Sequence, residues 1–187
     1  MGKLKVLLVI TLVLLLNGYL YGAEEAPVEI IQFAQTNLVE WGKGPIIVAA
    51  VKLQNEEGKT LEEIRELDER WISTPGIADF MKPFLENECA QHLSELGKSA
   101  PYFVETFVMD NQGALVATTN KTSDYWQGDE AKFIESYKAG KGEIYISPVE
   151  FDESTQAYLV QVSVPVTEED TTIGVITIGI DVDQFVL

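Results

Sequence analysis

Cys89 and His92 are the single cysteine and the single histidine of a 187-residue chain. Three residues apart on a helix, they stand one turn from each other, where a thiolate and an imidazole could meet on one face. The pair is too small for most chemistry. Zinc takes three or four ligands, and no matching pair recurs along the chain. A lone cysteine closes no internal disulfide. A Cys-His nucleophile needs further groups to orient its base, so a plain pairing on a helix surface is the better reading. Carboxylates are abundant instead, with 30 Asp and Glu against 13 Lys and Arg and a net charge of −17. Asp124, Asp129, Glu130, Asp152 and Glu153 could set two acids in one cleft, as glycoside hydrolysis requires. So many acids make such pairs easy to draw, however, and most acids belong to solvated faces. Asp124 and Asp129 lack the glycine-centred spacing of a calcium loop. No metal, cofactor or catalytic residue is expected, and an enzyme is not expected.

The densest mixture of aromatic and polar groups is the segment Thr122-Ser123-Asp124-Tyr125-Trp126-Gln127-Gly128. A simple connector has no need of adjacent Tyr and Trp. Either Tyr125 and Trp126 cap the end of the core, or they wall a pocket for a small molecule, where aromatic surface beside a few polar groups favours binding.

The elements that hold this segment follow from periodicity. From Pro27 to Trp71 the apolar residues Ile30, Ile31, Ala34, Leu38 and Trp41, then Ile46 to Leu53, keep helical spacing on either side of Gly42-Lys43-Gly44-Pro45. Pro45 suits the first turn of a fresh helix, and Thr60 with Glu63 has capping-box spacing ahead of the stripe Leu61, Ile64, Leu67 and Trp71. Residues 77–97 are helical again, with a kink or new start at Pro83 and a stop at Gly97. The period then changes to two. Residues 103–109, 114–119, 142–149, 157–166 and 173–182 read as five strands, the first two joined through Asp110-Asn111-Gln112-Gly113 as a hairpin. A short helix over 129–139 separates the second strand from the third. Helices followed by an antiparallel five-stranded sheet describe an α+β fold.

With 46% hydrophobic residues the chain can build a core, and its acidity disfavours nucleic acid and anionic membranes as partners. Residues 1–23 read as a signal peptide: Lys3 and Lys5, the apolar run Val6 to Leu16, then small residues at Gly22 and Ala23. A run of eleven residues falls short of the roughly 20 that span a bilayer, although Tyr19 to Tyr21 lengthen it enough to leave an uncleaved anchor as the alternative. The expected location is periplasmic or secreted, with residues 24–187 as a single domain.

The order of Leu67-Asp68-Glu69-Arg70-Trp71, Phe107-Val108-Met109-Asp110-Asn111-Gln112-Gly113, Thr122 to Glu130, Phe151-Asp152-Glu153-Ser154, Ser163-Val164-Pro165-Val166 and Ile173-Gly174-Val175-Ile176 resembles that of the extracytoplasmic Cache, or PDC, sensor domains. These are PAS-like, with a long N-terminal helix packed along a central sheet. The likeness spans roughly residues 28–187. It implies a pocket for a small organic molecule between the sheet and the loop-plus-helix after the second strand. On this sequence the pocket would be lined by Tyr125, Trp126, Asp129, Tyr145 and Asp152. Gln161 and Ser163, on the odd-numbered face of the fourth strand, are either further pocket groups or solvated surface. The pocket helix reads Ala131-Lys132-Phe133-Ile134 where many amine-reading members carry Arg-x-Trp-Tyr. Thr177 and Gly179 fall where those members place an acid in the last strand. Both departures argue against an amino-acid ligand. The chain stops at Leu187, where most members continue into a membrane helix and an output module. The resemblance therefore implies a free-standing binding protein that relays ligand binding to the extracytoplasmic part of a membrane sensor. The competing reading is an interaction module with a vestigial pocket.

Overall fold

Proline and capping residues cut the N-terminal half where the sequence marks them. In the computed structural model, which describes residues 24–153 and 155–185, α1 covers Val28–Thr36 and a 3-10 turn follows over Leu38–Lys43. Pro45 opens α2, Pro45–Glu57. Helix α3, Leu61–Ser73, starts at a reciprocal capping box: Thr60 Oγ1 accepts from the Glu63 amide at 3.3 Å while Glu63 Oε2 accepts from the Thr60 amide at 2.8 Å. Pro83 sits in the first turn of the short α4, Lys82–Leu85. The larger break comes after it, where the Asn87 side chain accepts from the Ala90 amide at 2.8 Å and starts α5, Glu88–Gly97. The expected signal segment, 1–23, lies outside the described residues.

Among the described residues, six antiparallel strands fill five positions of one sheet. They are β1 Phe103–Met109, β2 Leu115–Thr118, β3 Tyr145–Ile146, β4 Glu150–Asp152, β5 Ala157–Glu168 and β6 Thr171–Asp181. The order is β2-β1-β6-β5, with β3 and β4 lying end to end along the outer side of β5. Of the third expected strand, 142–149, only Tyr145–Ile146 pairs as a strand, and β4 follows beyond its expected end. Pro148 has no amide hydrogen to give, and here the Ser147 amide donates to the Gln161 carbonyl at 2.9 Å while the Ser147 hydroxyl accepts from the Gln161 amide at 2.9 Å. Helix α6, Ala131–Tyr137, joins β2 to β3, and α7, Val182–Phe185, follows β6.

The strand register sorts the side chains into two layers. Val160, Val162 and Val164 of β5 stand opposite Ile180, Ile178 and Ile176 of β6. This even-numbered face is buried under α1, α2 and α5 through Ile30, Ala34, Ile47, Val51 and Leu93. The odd-numbered face carries Phe107, Met109 and Val175, covered by Phe133 of α6, by Tyr125 and by Ile64 and Trp71 of α3. Both faces are thus removed from water, which is what a sheet with apolar residues on alternate positions of both sets requires.

Candidate functional site

Cross-strand pairing lines up the polar residues of the odd face. Phe107 on β1 pairs with Thr177 on β6, Thr177 with Ser163 on β5, and Ser163 with Tyr145 on β3. One register step away, Glu105 and Gln161 both pair with Gly179. A Cβ at Gly179 would lie 2.5 Å from Glu105 Cγ, so only glycine leaves the space through which Gln161 Nε2 reaches Glu105 Oε1, 3.0 Å away. Ser163 and Thr177 are fully buried, and their hydroxyls lie 2.8 Å apart.

Helix α6 lays a cation over this face. The Lys132 ammonium stands 5.5 Å from the Phe107 ring centre and pairs with Glu130 Oε2 at 2.9 Å, with only 13% of its side chain exposed. Burial raises the Glu105 carboxyl above the ordinary carboxylate range. The Gln161 hydrogen bond and the Lys132 charge pull it back down, whereas Asp152 and Glu130 push it further up. The face therefore presents a carboxylate, an amide, two hydroxyls and an ammonium beside an aromatic ring. Such a set can orient a small polar molecule. It does not activate a nucleophile, because the Ser163 hydroxyl is partnered by another hydroxyl and not by a base.

The seven residues expected at the site divide among four environments. Tyr145, Gln161 and Ser163 share the odd face, where Ser163 is buried and Tyr145 and Gln161 are half-buried. Asp152 closes the turn into β5, its Oδ1 accepting from the Thr155 amide at 2.7 Å and the Thr155 hydroxyl at 3.0 Å, and its charge acts on Glu105. Trp126 and the exposed Asp129 line a groove of about 580 Å³ between α3 and the loop, with Arg65 5.0 Å from the Trp126 ring centre. Tyr125 points the other way, into the core, 5.1 Å from the Phe84 ring and 5.9 Å from Trp71.

The loop that carries these two aromatics is fixed from both ends. Asp68 Oδ1 on α3 accepts from the amides of Tyr125 at 2.8 Å and Trp126 at 3.0 Å. The Trp126 indole donates to the Gln112 carbonyl at 2.8 Å. At the hairpin, Gly113 has φ +84° and comes so close to the loop that a Cβ on it would sit 2.4 Å from Gly128 Cα. The two glycines let hairpin and loop touch backbone to backbone.

Glu105, Lys132 and Thr177 complete the polar face, and the sequence reading did not place Glu105 or Lys132 in it. A charged residue in the middle of a run as apolar as Phe103 to Met109 was the available signal. Cys89 and His92 do share α5, but Cys89 is buried, and burial pushes its thiol up to about 12. It is no nucleophile there.

Residues 73–186 match the family described as methyl-accepting chemotaxis protein-like, first PDC sensor domain. No curated protein matches the chain. Among solved structures, the chain is similar to the sensor domain of the V. cholerae histidine kinase DctB, at 12% identity and a TM-score of 0.41, covering 82% of this chain and 50% of that one. It is also similar to the ligand-binding domain of the Campylobacter jejuni chemoreceptor Tlp3, solved with 4-methylisoleucine, at 16% identity and a TM-score of 0.35, covering 80% of this chain and 62% of that one. An extracellular ligand-binding receptor from Desulfohalobium retbaense shares 14% identity at a TM-score of 0.41, over 75% of this chain and 25% of that one. The chain thus spans less than two thirds of each of these three structures. Among the described residues no helix is long and apolar enough to cross a membrane.

Proposed function

We propose, for a chain that belongs to the methyl-accepting chemotaxis protein-like first PDC sensor domain family, that it binds a small organic molecule outside the cytoplasm and passes its occupancy to a membrane partner. The binding surface in this reading is the odd face of the sheet beneath α6. The observation that carries it is the half-buried Glu105–Gln161 pair, held across Gly179 and faced by the Lys132 ammonium. Fixed polar groups on an otherwise apolar, covered wall are the composition of a small-molecule site. Such groups are costly to bury, and a ligand that completes their hydrogen bonds would be recognised by them. Tyr145, Ser163 and Thr177 extend the same row, and Asp152 sits at its rim. Trp126 and Asp129 line the separate groove beside α3 and lie outside this row.

A carboxylate and an ammonium on one face suit a ligand bearing both a hydrogen-bond donor and an anionic or strongly accepting group. That chemistry readmits amino acids, which the sequence disfavoured for want of an acid on the last strand. Glu105 supplies the acid from the neighbouring strand. Thermal-shift screening of the full chain against amino acids, small carboxylates and small amines tests the reading. A specific binder raises the melting temperature by mass action, and the rise should vanish in Glu105→Gln and Lys132→Met. If no compound shifts the wild type, the pocket is vestigial and the domain acts as an interaction module. If a compound shifts both variants as it does the wild type, the site lies elsewhere.

A further inference from the structure

The packing of α2, α4, α5 and β2 leaves a half-open cavity of about 640 Å³, within the roughly 300–1,000 Å³ of ligand pockets. Its floor is Cys89 of α5 and Val116 of β2, both buried, and its sides are Ile46 and Ala50 of α2 and Phe84 of α4, all half-buried. Leu53 stands at the mouth with 64% of its surface exposed. The sequence leaves this space open: α2 carries alanine at both 49 and 50, and α4 ends after four residues. Val116 belongs to the layer beneath α1, α2 and α5, whereas Phe133 of α6 belongs to the opposite one. The cavity is therefore separate from the polar sheet face.

The polar groups on its wall are bonded to the protein itself. The Gln54 amide nitrogen donates to Asp110 Oδ2 at 2.9 Å and to the Leu115 carbonyl at 3.1 Å. Asn87 Nδ2 donates to the Val116 carbonyl at 2.9 Å, and its Oδ1 accepts from the Ala90 amide at 2.8 Å. Lys59 pairs with Glu57. The Cys89 thiol, which burial pushes up to about 12, stays protonated and acts as a small apolar group. Glu88 is exposed to water. What the wall offers a guest is apolar contact, and an empty cavity of this composition keeps apolar surface wet. We propose that it is a second ligand site, which takes a small uncharged hydrocarbon such as a monocyclic aromatic. Its occupant covers Ile46, Ala50 and Val116 and meets the Phe84 ring. A hydroxyl carried inside would give up its water beside groups already bonded to one another. A carboxylate would meet Glu57 and Glu88, with the lining cation Lys59 held by Glu57.

The test is a methyl NMR titration of the full chain with benzene, toluene, ethylbenzene, benzyl alcohol and benzoate. The hydrocarbons should give saturable shifts at the Ala50 and Val116 methyls and none at Val175, on the opposite layer. Affinity should rise about fourfold with each added carbon from benzene to ethylbenzene. Benzyl alcohol should bind about tenfold more weakly than toluene, and benzoate more weakly still. Ala50→Phe fills the cavity and should abolish binding. Should that variant fail to fold, Ala49→Trp narrows the mouth from an exposed position and should weaken toluene at least about tenfold. Glu105→Gln should leave toluene binding unchanged, which separates this site from the sheet face. The proposal is overturned if toluene gives no saturable shift at Ala50 and Val116, or if the filled or narrowed variant binds it undiminished. It is equally overturned if benzyl alcohol or benzoate binds as tightly as toluene.

Discussion

The Gln161 side chain reaches over a glycine to touch Glu105, two strands away, at 3.0 Å. Glu105 and Gln161 flank the same Gly179 in the sheet register, so the backbone places their side chains within reach of each other. Gly179→Ala would bring a methyl to 2.5 Å from Glu105 Cγ. The carboxylate must swing away and the bond to Gln161 breaks. The expected loss of stability is about 1–2 kcal/mol, read from urea unfolding, with loss of any ligand that the Glu105 carboxylate holds. A variant as stable as wild type with ligand affinity intact would show that the pair is incidental.

Protonation gives a second check. Burial raises the Glu105 carboxyl above its ordinary value of 4.5, so the native chain holds this proton more tightly than the unfolded chain does. Its contribution to stability is complete below about pH 4.5 and is lost as pH rises through the raised native value. Asp110, raised from 3.8 chiefly by burial, acts in the same direction. Unfolding free energies measured from pH 4 to pH 8 should therefore fall less steeply in Glu105→Gln than in the wild type. Equal slopes would mean that Glu105 is hydrated in solution.

Asp68 is predicted to matter more for the loop than for its own helix. Its Oδ1 receives two amide hydrogens from Tyr125 and Trp126. Asp68→Ala leaves both without that acceptor, at a cost of about 2 kcal/mol, and should speed hydrogen exchange at these two amides. Asp68→Asn keeps an acceptor oxygen and should cost less. Unaltered exchange in Asp68→Ala would rule out the tether.

Removing the Tyr125 hydroxyl should do the opposite in the ligand-free protein. The oxygen is buried with no partner among the described residues, so Tyr125→Phe relieves a desolvation penalty of about 1–2 kcal/mol and should raise the urea midpoint. A lowered midpoint would indicate that the hydroxyl is satisfied, for instance by water.

Most elements are legible in the sequence because each is marked locally. Thr60 and Glu63 announce α3, Pro45 opens α2, and Asp110 with Gly113 turns β1 into β2. The family follows from the order of those marks, and residues 73–186 match it. The break between β3 and β4 is harder to read, since it depends on the Ser147 hydroxyl meeting the Gln161 amide across the sheet. The binding face is harder still. Glu105 joins Gln161 only through the strand order, which brings β6 between β1 and β5. Tyr125 and Trp126 are neighbours in sequence, yet the extended backbone sends one ring into the core and the other under Arg65. Composition alone could not separate them.

The interruption at Pro148 and the loop at Tyr125 also decide how this sheet meets other chains. On one side, the β3–β4 edge is split into pieces of two and three residues. On the other, three backbone groups of β2 are taken: the Leu115 amide by the Tyr125 carbonyl at 3.0 Å, the Leu115 carbonyl by Gln54 at 3.1 Å, and the Val116 carbonyl by Asn87 at 2.9 Å. Neither border offers a long row of free donors and acceptors for a foreign strand to zip onto. Short and partly covered edges of this kind discourage edge-to-edge pairing with a foreign strand.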